Sequence, residues 1–373
     1  MADIISNFPD SILCYILSFL PTKQVVTTSI LSMHWNLLWR SVPSLDFDVD
    51  TMSIDYDKEK EGISRLLLSV NSFLRGRDMD QLLHRFRLRC PCLYNQNSIE
   101  TCIEDVLRKS ARLQHLDLDL GFVTAVPSVV FICKTLVVLK LAFVSPKNVS
   151  FVDLPLLKIL HLNSVSFLDC EYLLQQFLSG SPNIEDLEVE TFNNFTIKEF
   201  HSLPKLVRAK IDAPAVLPLE IIKNVEVFVT NRIYNQDLVF DFQNLVQLEF
   251  VTWEDSEGWL DVLKVFRHCP KLQTLFIRIK DDEEDPVLPY PLTVPTCISL
   301  HLKTCCLQYY RGSEFEFQFA EYIMLNANYL RTMKFLIRSD DYSNLLRRHD
   351  MIRDLSSCSK SSDACTLSFE KYV

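Results

Sequence analysis

The sequence predicts an α/β chain in three parts: a small three-helix unit, an irregular repeat solenoid and a C-terminal α+β segment. Three observations carry this. In the first 45 residues, apolar side chains fall at helical spacing between prolines. Behind them the pattern L-x-x-L-x-L recurs nine times, its central residues 19 to 27 positions apart. And the 373 residues hold only 6 Gly, widely scattered. A dinucleotide fingerprint, a phosphate-binding P-loop or a G-x-S-x-G elbow needs closely spaced glycines, so these folds are excluded.

The N-terminal helices come first. Pro9-Asp10-Ser11 reads as a helix start, with Asp10 or Ser11 available to cap. Ile12, Leu13, Ile16, Leu17 and Leu20 follow on one helical face, and Pro21 stops the helix. Thr22 can cap a second helix carrying Val25, Val26, Ser29 and Ile30. Leu31, Trp35, Leu38 and Trp39 mark a third, closed by Pro43. Three short helices bury little surface by themselves. Such apolar side chains therefore call for cover from a partner or from the next domain. The alternative is a plain N-terminal cap on the array.

The repeat reads Leu113/Leu116/Leu118, Leu136/Leu139/Leu141, Leu157/Leu160/Leu162, Ile184/Leu187/Val189, Leu206/Ala209/Ile211, Val225/Phe228/Thr230, Leu245/Leu248/Phe250, Leu272/Leu275/Ile277 and Cys297/Leu300/Leu302. An earlier copy fits Leu83/Phe86/Leu88. The spacing is that of leucine-rich repeats, in which each copy supplies a short strand and buries its face only by stacking on its neighbours. Helical patterns fill the longer steps at 99–109, 171–178 and 259–268. The Asn or Cys usual three residues after the last leucine is mostly absent, with only Cys305 fitting. Residues between the leucines would line the exposed strand face: Gln114, His115, Asp117, Asp119, Lys140, His161, Glu188, Glu190, Lys210, Glu249, Arg278 and Lys280. A solenoid face of this kind usually binds protein.

The acidic run Asp281–Asp285 and the prolines at 286, 289, 291 and 295 read as an exposed connector. Residues 340–360 read as a charged, Ser-rich loop with a helical piece.

Composition bounds the partners. Apolar residues at 48% and charged residues at 23% suit a folded chain, and the net charge of −10 argues against nucleic acid and anionic membrane surfaces. No apolar run reaches the length of a membrane span. The start Met1-Ala2-Asp3-Ile4 lacks the basic stretch of a secretory leader, so a nuclear or cytoplasmic location is expected, with the 12 Cys as free thiols. Cys90/Cys92 and Cys305/Cys306 are not at zinc-site spacing, and no H-E-x-x-H occurs. No metal, cofactor or catalytic group is expected.

The run from Phe8 through Pro9-Asp10-Ser11-Ile12-Leu13 and Ile16-Leu17-Ser18-Phe19-Leu20-Pro21 to Trp35, with the exit Val42-Pro43-Ser44-Leu45, resembles a plant F-box. Phe8 stands where that family usually has Leu, and Met33-His34 where it usually has Lys-Arg. The segment Cys297–Lys303, followed by Gly312, Glu314, Phe319, Tyr322, Leu325-Asn326-Ala327, Leu330 and Met333, resembles the FBD domain that follows plant F-box leucine-rich arrays, with Cys365-Thr366-Leu367-Ser368-Phe369 as its closing strand. The resemblance implies an F-box domain at 1–47, a leucine-rich array at 48–285, a Pro-rich connector at 286–295 and an FBD domain at 296–373. It also implies a non-catalytic substrate adaptor of a Skp–cullin–F-box ubiquitin ligase. The Skp adaptor would bind at Phe8, Pro9, Ile12, Leu13, Ile16, Leu17, Leu20, Pro21, Val25, Val26, Leu31, Trp35 and Trp39, and a target protein on the repeats. The alternative role is a scaffold that holds partners without cullin. The mixed signs on the array face argue against the basic inositol-phosphate floor of the hormone-receptor members.

Overall fold

Alternation along a strand sends every second side chain to one face, and in parallel strands those faces line up when the register matches. The computed structural model shows this alignment. It describes residues 5–48, 56–77, 82–90, 96–147, 149–166, 173–190, 203–212, 218–231, 233, 238–253, 259–279, 293–338 and 345–372. The acidic run, Lys280 and most of the Pro-rich connector lie outside them.

The chain forms two compact units. The first begins with three short helices, α1 (Asp10–Leu17), α2 (Thr22–Thr27) and α3 (Trp35–Leu38). Six parallel strands follow in chain order: β1 (Ser44–Asp48), β2 (Arg85–Arg89), β3 (His115–Val126), β4 (Val138–Pro146), β5 (Ile159–Asn163) and β6 (Asp186–Glu190). The 21-residue α4 (Tyr56–Gly76), α5 (Gln96–Lys109) and α6 (Leu173–Gly180) occupy the longer crossovers. One continuous buried row runs Leu45, Phe86, Leu116, Leu139, Leu160 and Leu187, each directly opposite the next. A second runs Phe47, Leu88, Leu118, Leu141, Leu162 and Val189. Burying each such side chain contributes about 1.5–3 kcal/mol.

The second unit continues with β7 (Arg208–Ile211), β8 (Val227–Thr230), β9 (Gln247–Trp253), β10 (Thr274–Ile279), β11 (Thr304–Tyr310), β12 (Thr332–Ile337) and β13 (Thr366–Lys371), again parallel and in order. Between them lie α7 (Trp259–Arg267), α8 (Thr296–Leu300), α9 (Glu314–Asn326) and α10 (Leu345–Ser357).

This arrangement corrects the repeat reading at its end. Cys297 and Leu300 belong to the helix α8, and Leu300 is exposed. The true copy is Leu302/Cys305/Leu307, with Cys305 opposite Leu275 and Leu307 opposite Ile277. Cys305 is thus a core residue, not the exit residue it resembled. The C-terminal segment is not α+β either: helix and strand alternate, and β11 to β13 extend the parallel pairing of β10. Residues 345–357 form a full helix in the stretch read mainly as a loop.

With no Asn or Cys at the exits, the backbone itself makes the turn. Phe143, Ser164 and Tyr309, each two residues past the second core side chain of its repeat (Leu141, Leu162 and Leu307), adopt φ of 54°, 51° and 57°. Left-handed backbone at a residue with a Cβ costs about 1–2 kcal/mol. The helix ends at 180 and 268 also match: Leu154 N–H donates to the Gly180 carbonyl at 2.9 Å and Phe242 N–H to the His268 carbonyl at 2.7 Å. At Gly180 a Cβ would stand 2.2 Å from the Val152 carbonyl oxygen, so only glycine fits there.

The ten cysteines among the described residues are free thiols. Burial pushes Cys102 and Cys297 up to about 12 and Cys306 up to about 11. The folded chain therefore keeps protons that the unfolded chain releases above its ordinary thiol pKa of 9.0. The stability they contribute is complete below that pH and is lost as pH rises toward 11–12. We expect the unfolding free energy from urea titration to fall from about pH 9 upward, at about 1.4 kcal/mol per pH unit for each thiol. Cys297→Ala should make the fall shallower, and an unchanged slope in that variant would contradict the assignment.

Candidate functional site

The F-box-like segment is built on two prolines. Pro9 and Pro21 stand immediately before α1 and α2 with φ near −55°, a geometry proline supplies without a side-chain cap. Asp10, Ser11 and Thr22 therefore do not cap, contrary to the sequence pattern. Asp10 instead bonds His34 Nε2 at 2.7 Å, tying the start of α1 to the entry of α3. Thr22 is buried, and its Oγ1 accepts the backbone N–H of Asp46 in β1 at 2.8 Å. A hydroxyl of the helical unit thus satisfies a donor on the outer edge of the first strand.

The apolar positions on α1, one stripe in the sequence, part into two faces. Leu13 and Leu17, with Cys14, are buried and join Val25, Trp35, Leu38 and Val42 in a core, with Leu20 and Trp39 packed partly against it. Trp35 donates from Nε1 to Ser6 Oγ at 2.7 Å, and burial pushes the Cys14 thiol up. The other face of α1 is open. Ile12 is 43% exposed and Ile16 46%, beside Tyr15 and Phe19, whose rings meet edge to face at 5.0 Å. Phe8, Val26 and Leu31 are exposed as well, and so are Ile5, Ile30, Met33 and Leu37. Residues 5–37 hold 11 of the 23 large apolar side chains exposed among the described residues. Single exposed apolar residues need no explanation, but so high a concentration on one small unit does.

Of the thirteen residues expected to touch a partner, Leu13, Leu17, Val25 and Trp35 are thus in the unit's own core, where they hold up the open face. Trp39 is covered from within the chain: Phe73 of α4 meets its ring edge to face at 4.9 Å, and Gly76 lies against it. Arg77 Nη1 donates to the Val42 carbonyl at 2.5 Å. The cover that the sequence demanded is therefore partly α4, a helix the sequence reading did not identify. Phe8, Pro9, Ile12, Ile16, Pro21, Val26 and Leu31 remain exposed. Met33-His34 contributes an exposed Met and the Asp10 bond in place of two cations.

The strand face of the first unit is laced by its own charges. Arg87 lies 3.4 Å from both Asp46 and Asp117, and Arg89 lies 3.5 Å from Asp48 and 3.3 Å from Asp119. Burial raises the Asp117 carboxyl, and Arg87 offsets part of this. His161 sits between Asp186 at 3.5 Å and Glu188 at 3.8 Å. The sequence pointed to Asp117, Asp119, His161 and Glu188 but not to Arg87 and Arg89. Their signal was the alternation Arg85-Phe86-Arg87-Leu88-Arg89 facing Asp46-Phe47-Asp48. Among the described residues no group of three or more His, Cys, Asp and Glu is placed to hold a metal, and no helix is long and apolar enough to cross a membrane.

The F-box domain family matches residues 5–47, which contain α1 to α3 and most of β1. The FBD family matches residues 290–335. An F-box/FBD/LRR-repeat protein of Arabidopsis thaliana is 36% identical over 50% of this chain and 41% of its own length. Another of the same description is 26% identical over 99% of both chains. A putative F-box/FBD/LRR-repeat protein of that plant is 28% identical over 96% of both. F-box proteins generally serve as substrate adaptors of Skp–cullin–F-box ligases. With an F-box domain matched at one end and an FBD segment at the other, the chain is similar along nearly its whole length to F-box/FBD/LRR-repeat proteins of a plant.

Proposed function

We propose that this protein is the substrate-recognition subunit of a Skp–cullin–F-box ubiquitin ligase. In this reading the F-box at 1–47 binds a Skp-type adaptor and through it cullin. The leucine-rich solenoid behind it holds a target protein for ubiquitination. The chain does no chemistry; it raises the concentration of target lysines near the charged transfer enzyme. Its place of action is the nucleus or cytoplasm.

The observation that carries the reading is the division of α1. One face builds the core of the helical unit, while the other offers Ile12 and Ile16 to solvent beside Phe8, Val26 and Leu31. An apolar surface of this density on so small a unit fits a partner that is itself apolar at the contact.

The test is co-expression with a Skp-type subunit. Ile12→Asp/Ile16→Asp changes only exposed positions. Two charges at the centre of an apolar contact should weaken binding at least about 100-fold, so the wild type should co-purify and the variant should stay soluble and alone. Equal recovery of Skp with both proteins would sink the docking assignment. Recovery of Skp without cullin, once cullin is added, would favour the scaffold.

A further inference from the structure

The strand faces of the two units differ in kind. In the first, Arg87 and Arg89 are each shared between two aspartates, so the charges facing solvent are already compensated. In the second, the same face carries Glu249 and Lys334 in register with an aromatic cluster. Phe276 occupies the position between the buried Leu275 and Ile277 where a polar residue is usual, and it is half-buried. Two residues on, the Arg278 guanidinium lies over the Tyr309 ring at 3.9 Å. From the far side of β12, Tyr372 brings its ring to 3.9 Å from that of Tyr309 and shares a hydrogen bond with it.

Tyr309 is set there at a cost. The pairing of β11 with β12 slips between Gln308 and Tyr310, which leaves Tyr309 as the extra residue of a bulge. Its φ is 57°, a conformation that a bulky side chain seldom adopts. Bulges re-aim side chains, and strained backbone of this sort gathers at binding sites. Nearby, Gln308 donates to the Glu249 carboxylate at 3.3 Å, and Lys334 pairs with Glu370 at 2.7 Å. Among the described residues Arg278 has no carboxylate partner, and its guanidinium rests on the Tyr309 ring.

We propose that Phe276, Arg278, Tyr309 and Tyr372 form the target-recognition hot spot, and that it takes a carboxylate-rich segment carrying an aromatic or large apolar side chain. Tyrosine and arginine dominate the energetics of protein contacts, and a guanidinium stacked on a ring is pre-set to receive a carboxylate in two-point contact. The proposal deepens the adaptor reading, on which its biological meaning rests. Peptide binding does not depend on that reading.

The test is selection of random dodecapeptides on the purified full chain bound to its Skp subunit, or on the chain alone if none binds. Selected peptides should be rich in Asp and Glu around Phe, Tyr, Trp or Leu. Binding should fall at least about 30-fold in Arg278→Glu and in Tyr309→Gly. Tyr309→Gly is the decisive variant, because glycine relieves the left-handed strain and leaves thermal stability near that of the wild type. Basic peptides from the selection, or acidic ones that bind both variants as well as the wild type, would overturn the proposal. Failure of Skp binding alongside intact acidic-peptide binding would remove the adaptor reading and leave the hot spot standing.

Discussion

Leu17→Asp is expected to unfold the N-terminal helical unit, while Ile16→Asp, one residue away, leaves it folded. Leu17 is 2% exposed and packs with Leu13, Val25, Trp35 and Leu38. A carboxylate there would be desolvated with no cation among the core residues to pair with it, and the lost leucine would leave a void. Together these cost about 4 kcal/mol or more, beyond what so small a unit can absorb. Far-ultraviolet circular dichroism combined with proteolysis would check it. Rapid cleavage within the first forty residues of Leu17→Asp, with Ile16→Asp resisting like the wild type, is the expected result. A protease-resistant Leu17→Asp would show that the core assignment is wrong. The pair also governs how docking variants are read: loss of Skp binding in any variant that includes Leu17 reports folding.

Glu316→Ala should be the second large effect. Glu316 is 2% exposed at the start of α9, and its Oε2 accepts the backbone N–H groups of Arg311 and Gly312 at 2.9 Å and of Ser313 at 3.2 Å. Ser313 Oγ in turn accepts the N–H of Glu316 at 3.2 Å, closing a capping box. The carboxylate also sits at the positive end of the helix dipole. Truncation leaves three donors without an acceptor, at about 1–3 kcal/mol for each that stays buried. Allowing for water reaching some of them, about 3 kcal/mol is expected. Hydrogen exchange should show faster protection loss at 311–313 and along α9. Glu316→Gln, which keeps an acceptor but not the charge, should lose about half as much. A Glu316→Ala variant within 1 kcal/mol of wild type in urea would refute the account.

The middle of the chain was legible because leucine recurs there at short, even steps, and the strands at 115–126, 138–146 and 159–163 lie where that pattern puts them. Both ends were harder, for the same reason. A helix inserted in the crossover lengthens the step: 41 residues from Leu45 to Phe86 around α4, and 34 from Met333 to Leu367 around α10. A search near 20–29 residues passes over such copies, and a Cys or Met at the core position hides them further. That is how Leu300 was taken for Cys305. In the helical unit the spacing of Ile12, Leu13, Ile16 and Leu17 revealed a helix with apolar sides. It could not say which side faces in, because that depends on where α2 and α3 cross it. The aromatic patch was less visible still, since Tyr309 reaches it through a bulge and Arg278 and Tyr372 lie 94 residues apart.

The bond between Thr22 and the N–H of Asp46 has one more consequence. An end strand with bare amides is a template for stray pairing, and proteins blunt such edges. Here the N-terminal helices do the blunting. A truncation begun at Ser44 to isolate the array would uncover that rim, and the fragment would be prone to clump. The same weld fixes the angle between the helical unit and the first strand, so that unit behaves less like a tethered hook than like the foot of a bracket.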